Sequence, residues 1–213
     1  MTTARPITIA IPKGRVLKAL APMLAKNVGA EAASALEIDG DDRRLVREVP
    51  SLGWRLLLLK PDDVPTWVEY GAADFGVCGR DVLLERGYDL YQPLDLGVGR
   101  CTMVVATKIG AGPLPDPPRV ATKYPRIAGA HFAKKGVQAE VVYVQGSVEL
   151  APLTGLADAI VDLVETGETL RQNALEVREV VAEISSVLVA NRAAYKLLGD
   201  RARGLLAAFS ARA

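Results

Sequence analysis

Asp158-Ala-Ile-Val-Asp-Leu-Val-Glu-Thr-Gly-Glu-Thr169 is the stretch of sequence that decides the fold. Its apolar first half predicts a β-strand, and the following Leu170-Arg-Gln-Asn-Ala174 predicts a helix. A short Thr/Gly loop between a strand and a helix is typical of a phosphate cradle, because loop amides and hydroxyls converge there with the N–H groups of the new helix. The same residues also fit a plain turn with an N-cap, and the local sequence does not separate the two interpretations.

Two carboxylates in this loop, Glu165 and Glu168, narrow the choice of ligand. They would repel a bare phosphate. A sugar phosphate suits them better, because carboxylates accept hydrogen bonds from ribose hydroxyls while amides hold the phosphate. We expect the Glu168 side chain to point to solvent.

The composition sets broad limits. The protein has 213 residues, half of them apolar, and a formal net charge of +1. This length suits one large α/β domain or two modest ones, and the charge gives no general attraction to nucleic acid or anionic membrane. Two basic clusters, Lys13-Gly-Arg15 with Lys18 and Arg43-Arg44 with Arg47, are either solvated faces or anion sites.

Cysteine, histidine and hydropathy exclude several classes of site. Cys78 and Cys101 lie in apolar runs, so we interpret both as core residues rather than as a disulfide or zinc ligands. His131 is the only histidine, and a helix-surface position is the favoured interpretation. No segment approaches the ~20 apolar residues of a membrane span. We therefore expect a cytoplasmic protein that binds neither membrane nor nucleic acid.

Strand-like runs and helical segments alternate along the first half of the chain. The predicted pairs are Ile7–Ile11 with Val16–Asn27, Arg55–Leu59 with a helix that starts at Pro61–Pro65, and Asp74–Gly79 with Asp81–Arg86. Such alternation predicts a parallel-rich sheet with helices on both faces, and ligands then bind beyond the carboxyl ends of the strands. We expect Lys13, Arg15, Asp74 and Gly79 to lie near such ends.

The second half predicts a smaller α/β unit. Its predicted elements are strands at Cys101–Ala106, Arg119–Thr122, Ala139–Val144 and the run after Asp158, and a helix at Pro125–Lys135. Glu176–Ala190 reads as a strand pair, and Arg192–Phe209 as a closing helix that returns to the first lobe. The predicted fold class is α/β in two lobes around a hinged cleft: residues 1–98 plus 184–213 form domain I, and residues 99–183 form domain II.

Several long blocks, in order, resemble one known family. They are Pro12-Lys-Gly-Arg15, the run from Asp63 to Asp81, Ala121-Thr-Lys-Tyr-Pro125, Gly146-Ser-Val-Glu-Leu-Ala-Pro152 and the run from Gly155 to Arg171. The sequence is similar to ATP phosphoribosyltransferase over almost its whole length. The resemblance implies a two-lobed periplasmic-binding-protein-like (type II) fold with an interdomain cleft. It also implies the first step of histidine biosynthesis, in which ATP and phosphoribosyl pyrophosphate (PRPP) give N1-(5-phosphoribosyl)-ATP and pyrophosphate. Magnesium is then substrate-bound, with no separate metal site.

The resemblance further implies a form and an assembly. Long-form members carry a third, histidine-sensing domain, whereas this sequence ends at Ala213, so it resembles the short form. Short-form chains work with a regulatory subunit similar to histidyl-tRNA synthetase. We therefore expect a hetero-octamer, a catalytic homodimer when the chain is alone, and inhibition by histidine only through the partner.

The residues that match the family's functional blocks fall into three groups. The catalytic cations would be Lys13, Arg15 and Arg43, with Arg44 as the rival of Arg43. PRPP would be held by Asp162 at the ribose and by Glu165, Thr166, Gly167, Glu168 and Thr169 at the 5-phosphate. The ATP-binding residues would be Asp74, Gly76, Gly79, Asp95, Gly146, Ser147, Val148 and Glu149. For Asp74 and Asp95, capping of a helix or strand is the competing interpretation.

Elementary chemistry is consistent with this reaction. Adenine N1 already carries a lone pair, so its attack on the anomeric carbon needs no strong general base. The departing pyrophosphate instead requires magnesium and fixed cations. Two alternatives compete: a non-enzymatic two-lobed solute-binding protein, and a phosphoribosyltransferase for a different base. The missing secretion signal and the two anion-friendly regions weigh against the first, and the lack of a paired-acid motif weighs against the second.

Overall fold

The computed structural model describes residues 5–37 and 43–210, which form two compact units. Unit 1 contains the described residues of Met1–Leu83, Gly87–Gly99 and Ser185–Ala213. Unit 2 contains Leu84–Arg86 and Arg100–Ile184. The chain therefore enters unit 2 after Gly99 and leaves it before Ser185, apart from the last turn of one helix.

The strands are β1 Ile7–Pro12, β2 Val46–Val49, β3 Trp54–Leu59, β4 Phe75–Gly79, β5 Tyr91–Asp95, β6 Cys101–Lys108, β7 Arg119–Thr122, β8 Glu140–Tyr143, β9 Ala159–Val164, β10 Leu175–Ile184 and β11 Ser186–Ala190. The α-helices are α1 Arg15–Val28, α2 Ala30–Ser34, α3 Val64–Glu69, α4 Arg80–Arg86, α5 Pro125–Lys134, α6 Leu150–Thr154, α7 Glu168–Gln172, α8 Arg192–Leu198 and α9 Asp200–Phe209. Short 3-10 turns occupy Pro50–Leu52 and Pro61–Asp63.

Unit 1 is built on a six-stranded mixed sheet in the order β2-β3-β1-β4-β11-β5. Strands β3, β1 and β4 are parallel, with Ile9 of β1 opposite Leu56 and Phe75. Strand β11 runs antiparallel to both β4 and β5, and β2 runs antiparallel to β3. The predicted parallel core is present, but both flanks of the sheet are antiparallel.

Alternation of apolar side chains along β1 places a separate core on each face of this sheet. Ile7, Ile9 and Ile11 lie in one buried cluster, which includes residues of α1 and α9, because side chains two residues apart share a face. Ala10 lies on the other face, in the cluster that contains Val64 of α3. Helices therefore cover both faces, as the alternation of elements predicts.

Unit 2 has a five-stranded mixed sheet in the order β10-β6-β9-β7-β8. Strands β9, β7 and β8 are parallel, whereas β6 is antiparallel to both β9 and β10. Successive residues of β6 face opposite cores: Met103 lies in the cluster that contains Phe132 of α5, and Val104 in the cluster that contains Leu170 of α7. This sheet therefore also carries a core on each face.

The structure corrects several expectations about elements. The predicted pair in Glu176–Ala190 is present, but its two strands belong to different sheets, because the chain leaves unit 2 between β10 and β11. The predicted closing helix is two helices, α8 and α9, which meet at Gly199 with a positive φ of 52°. Among the described residues, no helix has both the length and the apolar character needed to cross a membrane.

Candidate active site

One edge of the unit 1 sheet collects cationic side chains. Parallel strands β3, β1 and β4 all end there, and we call this the carboxyl edge of unit 1. Strand β2 begins there, because it is antiparallel to β3 and Val46 pairs with Leu57. The cations that lie outside the strands, within three residues of these strand ends, are Arg43, Arg44, Lys60, Lys13, Arg15 and Arg80. The structure therefore brings the predicted catalytic cations to one edge of one sheet.

Asp95 lies at the same edge, at the end of β5. Its carboxylate accepts hydrogen bonds from Ser185 Oγ at 2.8 Å and from the backbone N–H of Gly97 at 2.9 Å. It also accepts a weaker bond from Arg80 Nη2 at 3.3 Å. Asp95 thus closes a turn and orients Arg80, which agrees with the capping interpretation. The Nε atom of Arg80 is buried and has no hydrogen-bond partner among the described residues.

Asp74 is not at the carboxyl edge, and the expectation that it lies at such an end is wrong. It precedes β4, at the opposite edge of the sheet, and its side chain is only 4% exposed. Its two oxygens accept hydrogen bonds from Arg5 at 2.7 and 2.8 Å, and one also accepts from the Thr8 N–H at 2.8 Å. The Asp74 backbone bonds to Thr8 and Asn191 as well. These contacts assign Asp74 a structural role.

The glycines Gly76 and Gly79 are explained by packing. A Cβ on Gly76 would lie 2.7 Å from Val64 Cγ1 and 2.8 Å from Val68 Cγ2, so helix α3 packs directly on β4 there. A Cβ on Gly79 would lie 2.1 Å from Asp81 Oδ1. Gly79 is at the carboxyl edge, where it begins α4, whereas Gly76 is enclosed within the sheet and α3.

The Thr/Gly loop of unit 2 has the predicted form. Strand β9 ends at Val164, residues 165–167 form a bend, and α7 begins at Glu168. Gly167 has a φ of 76°, in the left-handed region that disfavours a side chain. Thr166 Oγ accepts a long hydrogen bond of 3.4 Å from the Glu168 N–H. The predicted strand and loop are therefore confirmed, whereas the helix begins and ends two residues earlier than the predicted Leu170–Ala174, and a bound phosphate remains a prediction.

Glu168 is an acidic residue in a loop proposed to bind an anion, and its carboxylate accepts hydrogen bonds from two neighbouring side chains. One oxygen bonds to Arg171 Nη2, and the other accepts a bond of 2.6 Å from Gln172 Nε2. These two hydrogen bonds lower the pKa of the Glu168 carboxyl. The side chain is 46% exposed, so it faces solvent as expected, but it is also held along α7.

Three charged residues adjoin the carboxyl edge of unit 2: Asp162 within β9, Lys123 directly after β7, and Glu149 after β8. Partial burial raises the pKa of Asp162, and the charge of Glu149 adds to this effect. The hydrogen bond from the Leu163 N–H, 2.8 Å long, and the charge of Lys123 act in the opposite direction. Asp162, Glu149 and Lys123 are therefore close enough to interact electrostatically near the loop.

The segment Gln145–Glu149 follows β8 at the same edge. Ser147 adopts a positive φ of 50°, unusual for a residue with a side chain. A Cβ on Gly146 would meet no atom within 4 Å, so the backbone there is open. Val148 is 3% exposed and packs in the core with Ala151, so its side chain is not available to a ligand.

The histidine lies on a helix, whereas both cysteines are strand residues near the carboxyl edges: Cys78 directly precedes Gly79, and Cys101 begins β6 beside the end of β9. His131 is on α5, and its side chain is 16% exposed, less than a surface position implies, because it lies 3.1 Å from Glu179 Oε1. Burial alone would raise the pKa of Glu179, but bonds from Lys135 and His131 outweigh it and lower that pKa. Cys78 is fully buried, which raises the pKa of its thiol. Cys101 is partly buried and packs against the unit 2 core.

Sequence reasoning missed four residues at the two edges: Lys60, Arg80, Lys123 and Ser185. Lys60, Arg80 and Lys123 each follow a predicted strand directly, so their position after a strand end was a usable signal. Ser185 lies between two strands that reach different sheets, and the sequence carries no comparable signal for that change of sheet.

Comparisons with known proteins agree with this architecture. The family model "HisG: ATP phosphoribosyltransferase" matches residues 60–211. A protein of Sorangium cellulosum named ATP phosphoribosyltransferase is 60% identical over 206 residues, covering 95% of this chain and 93% of that protein. One of the same name from Anaeromyxobacter sp. (strain K) is 48% identical over 211 residues, covering 98% of this chain and 94% of its own length.

Solved structures extend the comparison to the fold. The ATP phosphoribosyl transferase (HisG:HisZ) complex from Thermotoga maritima contains a similar chain, with a TM-score of 0.80, 33% identity and 95% coverage of both chains. The periplasmic aliphatic sulphonate binding protein SsuA from Escherichia coli matches with a TM-score of 0.60 and 15% identity, covering 97% of this chain and 72% of SsuA, which shows the fold alone. The predicted periplasmic-binding-protein-like α/β class is confirmed. With its sequence match across both units, this chain belongs to the ATP phosphoribosyltransferase family.

Proposed function

We propose that this chain transfers the phosphoribosyl group of PRPP to N1 of ATP, giving N1-(5-phosphoribosyl)-ATP and pyrophosphate in the first step of histidine biosynthesis. The observation that carries the proposal is the 60% identity over 95% of the chain with a protein named ATP phosphoribosyltransferase. The solute-binding alternative has only a similarity of fold at 15% identity, and a shared fold does not imply a shared function.

In this proposal unit 2 binds PRPP. The amides and hydroxyls of Glu165–Thr169 hold the 5-phosphate, and the open backbone at Gly167 lets a phosphate oxygen approach closely. Asp162 accepts hydrogen bonds from the ribose hydroxyls, and Lys123, close enough to affect its pKa, limits the negative charge that the anionic substrate meets. The support is the position of all these residues at one edge of one sheet.

Unit 1 supplies the cations for the leaving group. Lys13, Arg15 and either Arg43 or Arg44 stabilise the negative charge that develops on pyrophosphate. On the ATP side we assign Gly79 and Asp95, together with the main chain of Gly146–Val148 and Glu149. We exclude the carboxylate of Asp74, because it is only 4% exposed, lies at the opposite edge of the unit 1 sheet and is held by Arg5 and Thr8.

The reaction makes one bond and breaks one. The lone pair of adenine N1 attacks the anomeric carbon of the ribose, while the bond from that carbon to the pyrophosphate oxygen breaks and its electron pair leaves with pyrophosphate. Because N1 needs no deprotonation before it attacks, the protein has no need of a strong general base. Its work is to position two anionic substrates and to stabilise charge.

Magnesium fits the available donors as a substrate-bound ion. It ordinarily binds through one or two carboxylates together with substrate phosphates, and Asp162 and Glu149 supply two carboxylates close enough to interact electrostatically. When bound, the ion would neutralise part of the pyrophosphate charge. Asp162 and Glu149 would hold it only together with PRPP.

The support for a partner is the similar chain in the HisG:HisZ complex from Thermotoga maritima. We assign this chain a histidyl-tRNA-synthetase-like regulatory subunit in a hetero-octamer, a homodimer in its absence, and a cytoplasmic location. Inhibition by histidine then requires the regulatory subunit, so histidine added to the purified chain alone is expected to leave turnover unchanged.

Turnover followed by mass spectrometry tests the function directly. The purified chain is incubated with ATP, PRPP, magnesium and pyrophosphatase, with and without the regulatory subunit, and N1-(5-phosphoribosyl)-ATP is the expected product. Lys13→Ala serves as a site control and is expected to lower kcat by roughly 100-fold or more, as for other groups that stabilise developing charge. Absence of product in both mixtures, from folded chain that binds its partner, would contradict the proposal and favour a solute-binding protein.

A further inference from the structure

Glu168 places a carboxylate inside the loop that we assign to the 5-phosphate of PRPP. It directly follows Gly167 and lies two residues from Thr166, whose hydroxyl accepts a bond from the Glu168 N–H. A carboxylate so close to a phosphate site would repel the ligand unless a neighbouring positive charge compensated it. The contacts of the Glu168 side chain provide this compensation.

Two side chains of the same short helix hold the Glu168 carboxylate. Arg171 Nη2 bonds to one oxygen and Gln172 Nε2, at 2.6 Å, to the other. Residues three and four positions apart lie on the same side of a helix, so both donors are well placed. The carboxylate is thereby held along α7, beside an opposite charge, and both donors favour its ionised form.

We propose that Arg171 is a positioning residue for PRPP binding: it holds the carboxylate of Glu168 along α7 and compensates its charge, so that the Thr/Gly loop can accept a sugar phosphate. Gln172 supports the same arrangement. This inference rests on the proposed function, because it concerns the substrate that the loop binds. It also explains how an acidic residue is tolerated in an anion-binding loop.

The expected size of the effect follows from Coulomb's law. A carboxylate at about 6 Å from a doubly charged phosphate in water weakens binding by roughly tenfold. Physiological salt, with a screening length of about 8 Å, reduces this to roughly threefold. Arg171→Ala is therefore expected to raise the KM for PRPP by about three- to tenfold at constant kcat, with the larger effect at low salt.

Three further variants separate this positioning role from a general loss of structure. Glu168→Gln combined with Arg171→Ala should restore the KM, because no carboxylate remains to be held. Arg171→Lys should rescue it in part through its charge. Arg119→Ala is the matched control: Arg119 forms an exposed pair with Glu140 at the opposite edge of the unit 2 sheet, and its loss removes the same charge. Its KM should stay unchanged.

Calorimetric titration with ribose 5-phosphate provides a readout independent of turnover. Weaker binding by Arg171→Ala, reversed by Glu168→Gln, would support the inference. If wild-type chain forms product but Arg171→Ala binds both ligands normally, the positioning role is wrong and the proposed function stands. An equal loss of affinity for ribose 5-phosphate in Arg171→Ala and in the double variant would also overturn the inference, because the weaker binding would then not depend on the Glu168 carboxylate. Failure of wild type to form product would contradict the function instead.

Discussion

Replacing Asp74 distinguishes a structural carboxylate from a nucleotide-binding one. We expect Asp74→Ala to destabilise the protein and to leave the KM for ATP unchanged. The reason is that both carboxylate oxygens are used within unit 1, by Arg5 and by the Thr8 N–H, in a side chain that is almost fully buried.

The magnitude follows from these contacts. Arg5 is 61% exposed, so its ion pair contributes only about 0–1 kcal/mol. The buried Thr8 N–H would lose a charged acceptor, which costs about 1.5–3 kcal/mol. The expected loss in the free energy of unfolding is therefore about 2–4 kcal/mol, or roughly 5–12 °C in Tm for a protein of this size. Asp74→Asn retains an acceptor for Thr8 and should lose about half as much.

Urea unfolding and initial-rate kinetics on the same preparations provide the assay. Arg5→Ala is the companion variant. It should lower the free energy of unfolding by no more than about 1 kcal/mol, because it removes only the exposed ion-pair partner of Asp74 and leaves the Thr8 hydrogen bond in place. The reasoning would be refuted by an Asp74→Asn variant with normal stability and a KM for ATP raised roughly tenfold or more, a change of about 1.4 kcal/mol in binding.

Three further variants test packing and the cradle. Gly76→Ala should lower the free energy of unfolding by about 1–3 kcal/mol, because its Cβ would overlap Val64 and Val68; urea titration measures this, and unchanged stability would contradict it. Asp162→Asn should lower kcat/KM by roughly 10-fold or more. Asp162→Asn should also raise the free energy of unfolding at pH 8 but not near pH 4. Because the pKa of Asp162 is raised in the folded protein, its negative charge at higher pH destabilises the folded state, and asparagine removes that charge. Thermal melts across pH check this, and a uniform shift would be evidence against it. Thr169→Ala should raise the KM for PRPP by about two- to tenfold and that for ATP less; equal changes would argue against a 5-phosphate site.

Much of the fold was accessible from patterning. The strands of the parallel core are short apolar runs followed by turn residues, and their order along the chain predicts how they pair. The missed strands β2 and β5 lie at sheet edges, where only one side is paired. Strand β5 also contains Pro93, which lacks an N–H and weakens a strand pattern. The antiparallel insertion of β11 between β4 and β5 depends on a contact distant in sequence, and local periodicity carries no trace of it.

The candidate site residues could be predicted from the sequence where they directly follow a predicted strand. Lys13 and the Thr/Gly loop follow their strands directly, so the topology places them at carboxyl edges. Asp74 precedes its strand instead, and the partners that occupy it, Arg5 and Thr8, lie far away in sequence. The contacts of Glu168 were within reach, because Arg171 and Gln172 stand at helical spacing from it.

The paths into and out of unit 2 run side by side. Ile184 pairs with Cys101 across an antiparallel ladder, whose Cα partners are about 5 Å apart. On the unit 1 side, the Ser186 N–H bonds to the carbonyl of Val98 at 3.0 Å. Residues 100–184 are therefore connected to unit 1 as an insertion whose two ends lie next to each other. If they were removed, a linker of a few residues could join Gly99 to Ser185. Residues 100–184 could in this sense be exchanged between related chains, provided that Glu85 of α4, which accepts hydrogen bonds from the N–H groups of Arg126 and Ile127, is exchanged with them.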